Sequence, residues 1–185
     1  MIVEFGSGTG WNDLALRLSG FTGSYLGLDI SPSGKSAAKQ RSAHFELTRS
    51  EFRIADMTDR STWPPITDVN YRNATCCTYL SLEQIPGLAD VFTREAWLQG
   101  ITKLILFESS SPRPSNRFSK ALTSVYLRAK NYQRNHNKVL TVPQKKGIVQ
   151  DWAHSAPMLS PRLFNEASIY SVSLTNFGEA SEATR

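Results

Sequence analysis

Cysteine is scarce in this chain: two in 185 residues, adjacent at Cys76 and Cys77 within an apolar stretch. Neighbouring cysteines make a poor disulfide framework, and the pair suits a reducing compartment. Apolar runs are short, the longest lying around Leu104-Ile105-Leu106-Phe107. That is far from the roughly 18 residues a membrane-spanning helix requires. Met1-Ile2-Val3-Glu4 has no basic flank ahead of an apolar stretch, so no secretory leader is read there and the expected location is cytoplasmic. No Cys/His spacing fits zinc, and no helix carries a metal-binding His pair, so no metal is expected. Acid is missing altogether from 109–150, which holds nine of the 21 lysines and arginines. The formal charge of +5 is therefore concentrated there. Such a block attracts phosphate, carboxylate or an anionic polymer, or is a solvated helix face.

What is present is an ordinary globular composition, 40% hydrophobic and 20% charged, at a length suited to one domain. The expected organisation is a single domain over 1–175 with a small, polar, frayed tail over 176–185. No repeat or low-complexity segment interrupts it. Strand and helix patterns alternate. Residues 2–5 read as a buried strand running into glycines, and 11–18 carry Trp11, Leu14, Ala15 and Leu18 at helical spacing. Strands follow at 24–29, 52–56, 74–78 and 103–107. Helices are expected from Ser31-Pro32 to about 43, after Ser81, over 93–99 and, carrying much of the basic block, over 115–134. Two last strands are read at 147–152 and 168–174. Strands alternating with helices predict an α/β sandwich with a mostly parallel sheet.

The first turn reads Glu4-Phe5-Gly6-Ser7-Gly8-Thr9-Gly10. Glycines there let the backbone turn sharply and approach a ligand at a helix N-terminus. A dinucleotide fingerprint would place its third glycine at position 11, which is Trp11. A carboxylate at Glu4 repels pyrophosphate and pairs with a cationic ligand. The second strand ends at Asp29, where a carboxylate can accept from two ribose hydroxyls. The third ends at Asp56-Met57, suited to an adenine amino group and an adenine face. All three acids stand at carboxyl ends of consecutive strands, so they should converge on one crevice.

These residues resemble the class I S-adenosylmethionine-dependent methyltransferases. The resemblance rests on Val3 to Gly10, on Gly27-Leu28-Asp29-Ile30-Ser31, on Ala55-Asp56-Met57-Thr58-Asp59 and on Thr78 to Ile85. It covers roughly residues 2–107. It implies a Rossmann-like three-layer sandwich of about seven strands, the last antiparallel, with S-adenosyl-L-methionine as cofactor. Glu4, Gly6, Ser7, Gly8, Gly10, Asp29, Ile30, Asp56 and Met57 are the implied cofactor residues. Family members carry a helical cap ahead of the first strand, which is not read here. The Gly10-Trp11-Asn12 run is similar to that of some sugar O-methyltransferases.

Methyl transfer from a sulfonium depends chiefly on alignment, and a hydroxyl acceptor adds the need for a base. Candidates lying after strands four to six are Tyr79, Glu83, Glu108 and His154. The plainer readings are a solvated or capping Glu83, a Glu108 that orders a loop, and a structural His154. His44 and His136 read as solvated, and both cysteines as core residues. The expected activity is O-methylation of a small-molecule or saccharide hydroxyl, the acceptor being anionic if the basic block binds it. Alternatives are a non-catalytic or truncated S-adenosylmethionine-binding domain and an NAD-dependent oxidoreductase, which Trp11 and Glu4 disfavour. A nucleic-acid acceptor is less favoured, for want of an Asn/Asp-Pro-Pro-Tyr-like run after the fourth strand.

Overall fold

A computed structural model describes residues 1–85, 89–110, 149–154 and 166–174. The expected helix over 115–134, most of the basic block, His136 and the 176–185 tail lie outside the described residues.

Among the described residues seven strands form one sheet: β1 (Ile2–Phe5), β2 (Tyr25–Asp29), β3 (Ser50–Ile54), β4 (Thr75–Tyr79), β5 (Lys103–Ser110), β6 (Val149–His154) and β7 (Glu166–Leu174). Their spatial order is β3-β2-β1-β4-β5-β7-β6. The first five strands pair in parallel, and β7 runs antiparallel between β5 and β6. The order reverses at β1, which has β2 on one side and β4 on the other. The carboxyl ends of β1 and β4 therefore open a gap from which loops diverge, the place where such sheets bind ligands.

Pleating sorts the side chains. Val3, Phe5, Leu26, Leu28, Cys76, Leu104 and Leu106 point to one face and form the main core with Trp63, Tyr71, Phe92 and Ala96. Phe92 and Ala96 belong to α3 (Ala89–Leu98), which covers that face. The opposite face holds a smaller cluster of Tyr25, Ala38 and Phe52, against which Ile2, Leu16 and Phe21 pack. Leu16 comes from α1 (Trp11–Leu18) and Ala38 from α2 (Pro32–His44). Helices on both faces of one sheet make the expected three layers.

Several boundaries move. β3 begins at Ser50 because Tyr25 pairs with Ser50 and Asp29 with Ile54. Asp56 thus lies two residues beyond the strand, not at its end. β5 continues to Ser110, since β7 pairs with it as far as Glu166. Glu108 is accordingly inside β5, opposite Ser168. The helix expected after Ser81 is a single 3-10 turn, Leu82–Gln84, and α3 starts earlier than the periodicity predicts.

Candidate functional site

The glycine turn leaves β1 with two hydrogen bonds to β2: the Gly6 and Ser7 N–H groups donate to Leu28 O at 2.7 and 3.1 Å. Gly6 has φ +74°, and a Cβ there would stand 2.4 Å from Ser81 Cβ. Only glycine fits, because β4 brings Ser81 directly against the turn. Gly10 has φ +75° and starts α1; a Cβ there would press on Ala38 and Phe52 at 3.0 Å.

Asp29 is held from two directions. Gly8 N–H donates to Oδ2 at 2.7 Å, and Ser31 N–H donates to Oδ1 at 2.8 Å. Each carboxylate oxygen retains acceptor capacity beyond that one bond, and the group borders a cavity of about 490 Å³. Gly6, Gly8, Ile30, Asp56 and Met57 line the same cavity. Asp56 is set by its own turn: Oδ1 accepts from Thr58 N–H at 2.8 Å and from Thr58 Oγ1 at 2.7 Å. Its backbone is tied to Thr62 and Trp63, which fixes the turn at the border of the crevice. Ser7 is buried beneath the turn.

Ser81, Gln84 and Ile85 complete that wall, although the sequence did not mark them as site residues. They come from a segment far along the chain that β4 brings beside β1. The available signal was indirect: a glycine at position 6 needs something pressing on it.

Glu4 lies elsewhere. Its side chain is on the α1 face of β1, almost wholly buried. Tyr25 Oη donates to one carboxylate oxygen, and Asn12 Nδ2 donates to the other at 2.6 Å. Burial pushes its carboxyl above the usual range, opposed by those two hydrogen bonds and reinforced by Asp13 and Asp29. Glu4 borders a second, mainly apolar cavity of about 370 Å³ along β1, β4, β5 and α1, with Leu16, Cys77, Tyr79 and Phe107. The three acids thus flank the glycine turn from two sides and do not share one crevice.

The catalytic candidates are dispersed. Tyr79 ends β4, is 47% exposed and leans on Phe107 with ring centres 6.0 Å apart. Glu108 is fully buried and accepts from Thr78 Oγ1 at 2.6 Å. Glu83 sits in the 3-10 turn after β4. His154 ends β6, at the far edge of the sheet. Four strand spacings from β1, at about 4.8 Å each, put it about 19 Å from the glycine turn. Cys76 is buried, its thiol pushed up to about 12, and burial raises Cys77 as well. Both are inert at neutral pH. Among the described residues no acid, His and Cys cluster could hold a metal ion. No helix there is long and apolar enough to cross a membrane.

The sheet order, the antiparallel β7 and the crevice at the reversal of β1 and β4 give the chain the fold of the class I S-adenosylmethionine-dependent methyltransferases. The S-adenosylmethionine-dependent methyltransferase SibL is similar, with TM-score 0.69 and 18% identity over 93% of this chain and 49% of that one. Magnesium protoporphyrin IX methyltransferase from Synechocystis PCC 6803, solved with S-adenosylhomocysteine, matches at TM-score 0.64 and 16% identity over 94% of this chain and 74% of its own. Haemonchus contortus phosphoethanolamine N-methyltransferase 2 matches at TM-score 0.67 and 12% identity over 95% of this chain and 48% of its own. The chain spans about half the length of the first and third of these. No family model and no curated protein matches the sequence.

Proposed function

We propose that this chain binds S-adenosylmethionine and transfers its methyl group to a hydroxyl of a small molecule or saccharide. The observation that carries the reading is the Asp29 carboxylate, pinned between the Gly8 and Ser31 N–H groups on the border of the 490 Å³ crevice. The residues fit the cofactor. Gly6 has no room for a side chain, Asp29 and Asp56 carry acceptors for ribose hydroxyls and an adenine amino group, and Ile30 and Met57 offer apolar faces. Among the described residues no lysine or arginine lines this crevice, which suits a nucleoside ligand better than a pyrophosphate. When bound, S-adenosylmethionine supplies an activated methyl on a sulfonium.

The chain's part is to bind, orient and exclude water, which in favourable cases supplies about 7–11 kcal/mol through alignment. Glu4, reached from the other side of the glycine turn, would hold the cationic end of the ligand. Tyr79, exposed at the end of β4 on the rim of the apolar cavity, is the candidate favoured to meet an acceptor. Glu108, buried against Thr78, and His154, on the edge strand β6, are less favoured for the same job. The basic segment is the proposed determinant of an anionic acceptor.

Thermal unfolding and calorimetric titration with S-adenosylmethionine, S-adenosylhomocysteine and NAD test the reading. A ligand at 100 times its Kd stabilises by about 2.7 kcal/mol, which raises Tm by several degrees. The expected result is a shift with both adenosyl ligands and none in Asp29→Ala. A shift with NAD alone would overturn the methyltransferase reading.

A further inference from the structure

The segment after β4 joins the two cavities. Tyr79 lines the apolar one, while Ser81 and Gln84 line the glycine-turn crevice. Between them Leu80 has φ +52°, the left-handed region that glycine enters freely and an L side chain enters at a cost. Three hydrogen bonds hold the turn there. Leu80 N–H donates to Phe107 O at 2.7 Å, Gln84 Nε2 donates to Leu80 O at 2.9 Å, and Ser81 Oγ donates to Phe5 O at 3.1 Å. The anchors belong to β5, to the crevice wall and to β1. Strain of this kind persists where the surroundings over-determine it, and such residues gather at ligand sites. Among the described residues the other two non-glycine residues with positive φ, Glu46 and Arg49, lie in the connection from α2 to β3.

We propose that Leu80 is a positioning residue for the cofactor, an inference that rests on the function proposed above. Its left-handed backbone sets Ser81 and Gln84 as a ready-made wall of the crevice and Tyr79 as the rim of the apolar cavity. Contact at Ser81 leaves no slack, since Gly6 has no room for even a Cβ on that side. Glycine at position 80 could adopt the same φ, but many others too. The wall would then have to be ordered on binding, and affinity would fall. Asparagine, which enters the left-handed region more readily than other L residues, keeps the turn.

The test is calorimetric titration of S-adenosylhomocysteine into wild type, Leu80→Gly, Leu80→Ala and Leu80→Asn, with a melting curve for each. Leu80→Asn should bind close to wild type. Leu80→Gly should bind about fivefold or more weakly while melting no lower than Leu80→Ala, because both lose the side chain and only glycine relieves the strain. Wild-type affinity in Leu80→Gly overturns the proposal. Equal weakening in the glycine, alanine and asparagine variants also overturns it, as the mark of lost side-chain packing. A wild-type chain that binds no S-adenosylhomocysteine overturns the cofactor reading, and this inference with it.

Discussion

Arg17 shows how much one side chain can organise. Its Nε bonds to Asp13 Oδ1 at 3.2 Å, and Asp13 is fully buried with Oδ2 lacking any hydrogen-bond partner. The two Nη atoms reach Phe21 O at 3.1 Å, Gly23 O at 2.6 Å, Arg49 O at 3.3 Å and Ser50 Oγ at 3.2 Å. The guanidinium therefore neutralises a buried acid and ties the end of α1 to the starts of β2 and β3. Removing one partner of a buried ion pair strands the other charge, at about 3–5 kcal/mol, whereas replacing both with apolar groups is often neutral. Urea unfolding should show a loss of that size in Arg17→Met and recovery of most of it in Asp13→Leu/Arg17→Met. Additive losses in the double variant would mean that Arg17 acts through its carbonyl contacts and not through Asp13. The Asp13-x-x-x-Arg17 spacing is visible in the sequence as an ordinary helix-surface pair. Its burial is not, because the chain that covers it arrives only when β2 and β3 dock.

Among the elements, α2 has little apolar burial to hold it. Only Gly34 and Ala38 are buried, so it contributes little apolar area and depends on how it starts and how closely it approaches. Ser31 caps it, accepting from Gly34 N–H at 3.1 Å, with Pro32 in the first turn. A Cβ on Gly34 would meet Gly8 O at 3.1 Å, so the helix leans on the glycine turn itself. Loss of such a cap costs about 1 kcal/mol. Ser31→Ala should lower stability by about that amount, and hydrogen exchange should quicken over residues 32–44 and at Gly8 before β1 and β4 are touched. Uniform quickening throughout the sheet would show that α2 does not unfold as a separate unit. The start of α2 was readable from Ser31-Pro32, as was the turn from its glycines. The extents of β3 and β5 were not, because a strand ends where its neighbour stops pairing, and alternation along one segment carries no record of the partner. Leu80 is a sharper case: nothing about leucine suggests a left-handed turn, and only the bonds to Phe107, Gln84 and Phe5 explain it.

Across the whole molecule, the acids at strand ends were readable as one group because parallel strands deliver their carboxyl ends to the same side. The pleat was the part left out. Glu4 sits one residue before Phe5, so it faces α1 while Phe5 enters the main core, and Asp29 beyond it faces the crevice. Burial then makes Glu4 a term in the stability of the entire fold. Its folded-state pKa lies above the usual range, chiefly through burial, so the folded state binds that proton more tightly than the unfolded chain. The resulting stabilisation is fully present below the unfolded value of about 4.3 and is lost as pH rises through the folded value. Glu4→Gln cannot ionise and should lack this slope. Unfolding free energies measured from pH 4 to 8 should therefore show wild type losing ground to Glu4→Gln as pH rises, on top of the trend both share. An ammonium held beside Glu4 would keep the carboxylate charged and remove the penalty. S-adenosylhomocysteine, which carries an ammonium, should then stabilise wild type more than adenosine does at pH 7.5, and the difference should vanish in Glu4→Gln. A pH-independent gap between the two proteins would show that Glu4 stays ionised on folding. Equal stabilisation by adenosine and S-adenosylhomocysteine would show that no ligand cation reaches it, and would leave the acid a structural partner of Tyr25 and Asn12.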